Sequence, residues 1–248
     1  MSLPIVVNRP EVKDDSGSDI PRDKLLASPW HTVLVLVVLG LYGYWAIFRA
    51  ARAQAGLGPS RPTMYLRTMF FELLFLGIVM AGVKLRGGSL ECVLGRRWKS
   101  IGQVFLDLGL GIALLVFSTL VVSMIGGHPR SGASGQSIGF LLPQTQLEMV
   151  LWMLLSLTAG ICEEAIYRGY LQRQLGALTR NAWVGIALSA AAFGGAHLYQ
   201  GVERASSIAV MGIVFGCFAH WRKTVRPGMF AHTLQDGIAP VLLRIARR

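Results

Sequence analysis

An all-α bundle of about seven membrane-spanning helices, six to eight at the limits, is the fold class this sequence predicts. Three observations carry it. The 248 residues are 53% hydrophobic and only 15% charged, and the mean hydropathy of +0.51 lies beyond the usual range of a soluble domain of this size. The apolar residues fall in separate blocks, several long enough to cross a ~30 Å hydrocarbon core at 1.5 Å per residue. Charged or Gly/Pro/Ser-rich connectors divide the blocks, so a single helical unit over 30–248 follows, preceded by a polar flexible tail over 1–29.

That tail carries Asp14, Asp15, Asp19 and Asp23 with several basic partners, and it lacks the apolar core of a signal peptide. The first block, 30–48, has no charge and has Trp and Tyr near both ends, as at a membrane interface. The second, 64–83, holds Arg67 and Glu72, which can snorkel, pair with each other or line the bundle interior. A connector over 84–99 with Arg86, Arg96 and Arg97 leads to the third block, 104–125, with Asp107 near its start. Residues 126–137 form a Gly/Ser-rich loop without periodicity. Four shorter blocks follow, about 147–166, 182–198, 206–221 and 228–243, with polar residues inside or at their ends.

The net charge of +11 comes from 24 Lys and Arg spread over almost every connector. Cations flanking apolar spans account for that distribution, and no nucleic-acid partner is expected. An N-in arrangement places 15 of them inside and 9 outside. Cys92, Cys162 and Cys217 are scattered, without CxxC spacing, and are expected to pack as small apolar residues. His31 and His220 sit at block ends beside Trp30 and Trp221, where an interfacial role is expected; His128 stands outside every motif.

The chemistry is concentrated in the last hundred residues. In ICEEAIYRGY, Glu164 and Arg168 are four apart, on one helix face and in the favourable order for an ion pair. Glu163 is turned about 100° from Glu164, so one carboxylate is neutralised and its neighbour is left free. In FGGAH, Phe193 and His197 are four apart at the end of a small-residue helix that admits a close neighbour. In HTLQD, His232 and Asp236 repeat the spacing. Each element alone has an ordinary structural reading: a helix-end ion pair, a histidine on a backbone carbonyl, an interhelical clasp. Together they are costly, because an ionisable group in a membrane costs about 2.5–3.5 kcal/mol even on the lenient insertion scale. A carboxylate in an apolar, partly wetted cavity can take a proton from water and return it to a leaving amine. His197 can orient that water, and His232 can donate to an oxyanion formed at a peptide carbonyl.

These three motifs, in this order and spacing, resemble the signature of the CAAX protease and bacteriocin-processing (CPBP, or ABI) family, whose relatives include the type II CAAX prenyl endopeptidases. The resemblance covers about 147–243. It implies an integral membrane endopeptidase acting on a membrane-presented peptide or lipidated protein, with the bilayer itself as the other partner. Carried over by motif position, Glu163 is similar to the family's water-activating glutamate, Glu164 and Arg168 to its supporting pair, and His197 to the histidine that shares the water. His232 and Asp236 match the pair that stabilises the oxyanion. The family most often has Asn at the last position. An ionised Asp would repel an oxyanion, so Asp236 is either protonated or orients His232.

The resemblance implies a metal-free, glutamate-dependent mechanism, and no cofactor is expected. The alternative is a catalytic zinc held by Glu and two His, since members of the family have been described as metalloproteases, although HExxH is absent. From a different class come a non-catalytic immunity-type protein and a transporter using the acids as a proton relay. A transporter would more naturally show internal repeats, which the sequence lacks.

Overall fold

The computed structural model describes residues 24–126 and 138–245. The first 23 residues of the expected tail, most of the Gly/Ser-rich connector and His128 lie outside the described residues. Among those described there is no strand, and the helices are α1 (Pro29–Gln54), α2 (Arg61–Leu85), α3 (Leu90–Leu94), α4 (Ile101–Gly126), α5 (Gln146–Glu163), α6 (Gln172–Thr179), α7 (Ala182–Ala196), α8 (Val202–Arg222) and α9 (Arg226–Ile245). A wide turn, Glu164–Leu171, joins α5 to α6.

Helix starts are set by capping side chains, which accept from backbone N–H groups that have no partner within the helix. Ser28 accepts from His31 N (3.2 Å), Thr145 from Glu148 N (3.2 Å) and Asn181 from Trp183 N (2.9 Å). Pro29 stands at the start of α1 and Pro62 at that of α2, where a missing N–H costs nothing.

Five helical stretches are long and apolar enough to cross a membrane: α1, α2, α4, the run 146–179 and α8. Their outer faces leave Leu34, Leu41, Phe70, Leu73, Val116 and Leu120 exposed, which suits lipid and not water. With α7 and α9 they make seven long rods, and α3 is a single short turn between two of them.

Two expectations about extent are corrected. The block expected to end near residue 166 continues as one 34-residue rod to Thr179. Its polar continuation is buried because the bundle satisfies it: Gln172 Nε2 donates to Gly216 O at 2.9 Å, and Gln174 Nε2 donates to Ala27 O and Thr32 Oγ1, both at 2.8 Å. Gln174 Oε1 in turn accepts from Leu26 N at 2.8 Å and Ala27 N at 3.2 Å. The end of the expected tail is therefore docked, with Leu26 and Ala27 fully buried. His31 is also not an interfacial residue. Its Nδ1 lies 2.8 Å from the Tyr170 hydroxyl and its Nε2 3.0 Å from Ile78 O, so it clasps α1 to α2 and to the turn. The cysteines are free thiols; Cys92 and Cys162 are buried.

The core lies around the wide turn, where Ala165, Ile166, Tyr170 and Leu171 meet Val79 and Val83 of α2, Phe193 of α7 and Phe215 of α8. α5 packs on both α2 and α9, and α7 on α8. The approach of α5 to α9 depends on Gly160, where a Cβ would stand 2.9 Å from Thr233 N and 3.0 Å from Met229 O. The acids that follow Gly160 are thereby brought against His232.

Candidate active site

The turn that carries Glu163, Glu164 and Arg168 is not a regular α-helix: from Glu164 to Leu171 it is π-helical, closed by i→i+5 hydrogen bonds. Glu163 and Glu164 themselves keep α-helical backbone angles (φ −67°, ψ −41° and φ −63°, ψ −40°), so the two carboxylates diverge as expected. Glu164 points into protein, 1% exposed, while Glu163 lines a cavity of about 430 Å³.

Glu164 Oε1 has two cationic or donating partners. Arg168 Nη1 stands 2.9 Å away, as the i,i+4 spacing predicted, and both side chains are almost wholly buried. The guanidinium lies 4.1 Å from the centroid of the Phe193 ring, a cation–π contact that supports the charge away from water. His232 Nδ1 lies 3.3 Å from the same oxygen. A carboxylate held ionised by Arg168 can only accept, so the proton on this bond belongs to His232 Nδ1. Its other nitrogen, Nε2, lies 3.6 Å from Glu163 Oε2 and 3.5 Å from Asp236 Oδ2. One imidazole thus touches three of the predicted acids. Glu163 Oε2 is buried without a hydrogen-bond partner, as a group reserved for a water or substrate would be.

His197 follows the last residue of α7. That helix has 15 residues, which rise about 22 Å, less than a ~30 Å hydrocarbon core, so its C-terminus stops within the bundle. His197 Nδ1 lies 2.9 Å from Phe193 O. A carbonyl only accepts, so Nδ1 carries the proton and Nε2 keeps its lone pair. His197, Glu163, His232 and Asp236 all line the same cavity. Asp236 is more open than Glu163 and His232, with its side chain 38% exposed, while its backbone carbonyl accepts from Trp152 Nε1 at 2.9 Å. Glu164 and Arg168 stand behind, supporting the acids and the imidazole.

One further acid belongs here. Glu72 of α2 is buried, lines the cavity and has its carboxyl within hydrogen-bonding reach of Glu163. A hydrogen bond between two carboxyl groups needs one proton between them. Among the three possibilities open to Glu72 in the sequence, the interior one holds. The sequence signal was its charge in the middle of an apolar span, but nothing local placed it beside an acid ninety-one positions later. Asp107, the acid of the third block, lies elsewhere, bound by Trp98 Nε1 at 2.8 Å and Arg222 at 3.0 Å.

Among the described residues no three His, Cys, Asp or Glu side chains form a group suited to holding a metal ion.

The fold and this site together define a helical protein of membrane type with an acid–base cavity in its interior. Residues 145–238 match the family model described as Type II CAAX prenyl endopeptidase Rce1-like. The resemblance to the CAAX protease and bacteriocin-processing family is shown over that stretch, which carries all six predicted site residues. Neither a curated protein nor a solved structure matches the chain.

Proposed function

We propose that the chain is a multi-pass integral membrane endopeptidase of the CAAX-protease type, which cuts a membrane-presented peptide with a water activated by Glu163 and His197. The observation that carries this reading is the convergence of Glu163, His197 and His232, from three separate helical segments, on one cavity.

In the proposed reaction, a water sits between the Glu163 carboxylate and the Nε2 lone pair of His197. Glu163 takes one water proton as the water oxygen bonds to the scissile carbonyl carbon, and the C=O electrons move onto oxygen. His232, protonated on both nitrogens between the Glu164, Glu163 and Asp236 carboxylates, donates its Nε2–H to that oxyanion. Collapse of the tetrahedral adduct reforms the C=O, breaks the C–N bond and passes the proton from Glu163 to the departing nitrogen. Arg168 keeps Glu164 ionised, and Glu164 fixes the His232 ring through Nδ1. Asp236 serves as an orienting partner of His232, the role compatible with a carboxylate in the place where the family most often has Asn.

The test uses purified protein and a membrane-anchored peptide pool. Glu163→Gln and His197→Ala are each expected to lower the rate by at least about 100-fold, the lower end for general acid–base groups, with thermal unfolding in detergent close to wild type. Cleavage that survives both substitutions removes the reading.

A further inference from the structure

In the proposed reaction a single side chain, His232, donates to the oxyanion. As a carboxylate, Asp236 beside it has no proton to offer. Fixed donors aimed at the developing charge are a large source of rate in acyl transfer, and the oxyanion of the adduct is commonly met by two.

A second donor lies two residues after His197. Leu198–Gln200 is a single 3₁₀ turn, closed by bonds from Gln200 N to His197 O and from Gly201 N to Leu198 O, both at 2.9 Å. Three residues per turn set neighbours about 120° apart. Leu198 therefore points outward, 42% exposed, while Tyr199 returns to the cavity that His197 lines. The chain leaves the turn at Gly201 with φ 95° and ψ 156°, a region open essentially to glycine, and α8 begins at the next residue.

The half-buried Tyr199 has its ring against the imidazole of His197, with centroids 5.9 Å apart and planes at 30°. Its hydroxyl oxygen accepts from Gln200 Nε2 at 3.0 Å. An amide nitrogen only donates, so the hydroxyl keeps its own proton unspent in that bond. Among the described residues Gln200 is the one hydrogen-bond partner of this hydroxyl. The carboxylates of Glu163 and Asp236 are near enough for their charges to act on it. An unspent O–H is thus held in the cavity close to the carboxylate that activates the water.

Resting on the endopeptidase reading, we propose that Tyr199 is a second oxyanion donor, whose O–H bonds to the oxygen of the scissile carbonyl as the water adds, alongside Nε2–H of His232. The proton stays on Tyr199 through addition and collapse, so the transfers from water to Glu163 and from Glu163 to the departing nitrogen are unchanged. The Gln200 amide, on the other side of the hydroxyl oxygen, orients the donor.

The experiment uses the anchored peptide pool in phosphatidylcholine vesicles. Tyr199→Phe keeps the ring against His197 and removes the hydroxyl. It is expected to lower kcat about 100-fold, the low end for one oxyanion donor, with KM within about twofold of wild type, because the contact forms only with the adduct. Thermal unfolding in detergent should stay close to wild type. Adding Asp236→Asn to that protein supplies an amide N–H beside His232 and should restore about tenfold in kcat. Gln200→Ala leaves the hydroxyl in place and should cost about fivefold, the effect of one neutral hydrogen bond. The inference is overturned by full activity in Tyr199→Phe, by a loss confined to KM, by an equal loss in Gln200→Ala, or by a double variant no faster than Tyr199→Phe.

A second readout needs no cleavage. In a pool of the same peptides with one peptide unit replaced by a phosphinate, the tetrahedral anionic oxygens stand in for the adduct. Wild type should bind this pool about tenfold more tightly than the parent peptides, and Tyr199→Phe should lose most of that preference. If wild type cuts nothing, the endopeptidase reading falls by itself and the phosphinate ratio still decides Tyr199: a preference that the Phe variant keeps, or one that wild type lacks, ends the proposal.

Discussion

His232 of α9 reaches Glu164 across the helix interface, Nδ1 to Oε1 at 3.3 Å, on the very oxygen that Arg168 approaches at 2.9 Å. The imidazole is thereby locked at one nitrogen and presents the other to Glu163 and Asp236. An ion pair that reads in sequence as a helix-end brace is also the part that aims a histidine from another helix.

The brace can be removed in two ways with opposite costs. Arg168→Ala leaves the Glu164 carboxylate buried and unpaired and is expected to cost about 3–5 kcal/mol of stability. The double change Arg168→Met with Glu164→Gln removes both charges and should recover much of that loss while leaving His232 without its anchor. Thermal unfolding in detergent separates the two variants, and peptide cleavage should remain low in both.

Asp236 is tested by its isostere. If the carboxylate orients His232, Asp236→Asn keeps a polar partner at Nε2 and should retain cleavage within about tenfold. Asp236→Ala removes the partner and should lose about 10–100-fold, the range for orienting groups behind a working histidine. A gain of activity in the Asn variant would instead show that the negative charge opposes the oxyanion.

Glu72 is tested by its isostere and by its removal. Glu72→Gln keeps a hydrogen-bonding partner beside Glu163 and should retain cleavage within about tenfold, whereas Glu72→Ala takes the partner away and should lose about 10–100-fold, the range for groups that orient a working residue. The measurement is kcat/KM for both variants, with equal loss in the two counting against the pairing.

The α5–α9 contact is tested by bulk. Gly160→Val has no space beside Thr233 and Met229, and overpacking of this kind costs about 1–3 kcal/mol. The variant should lose cleavage as well as stability, because the same displacement moves Glu163 and Glu164 from His232. Gly77→Ala, at an α2 position with nothing within 4 Å, is the control and should be neutral or slightly stabilising, by about 0.5–1 kcal/mol.

Much of this was present in the order of residues. Apolar blocks of membrane length can be satisfied only as helices, so the rods followed from composition and spacing. The i,i+4 rule placed Glu164 on Arg168, because that contact is made within one helical segment and depends on no other part of the chain. The three motifs also singled out His197, His232 and Asp236. What local pattern does not contain is which helices become neighbours. The docking of Leu26 and Ala27 on Gln174, the seating of His31 on Tyr170, and the meeting of Glu72 with Glu163 all join residues distant in sequence. Those pairings were decided by packing, through close approach at Gly160 and the burial of polar side chains that only the assembled bundle can satisfy. The sequence by itself determined the rods and the reactive groups they carry; the tertiary structure decided which carboxylates share one cavity and which imidazole nitrogen faces it, because both depend on which helices become neighbours.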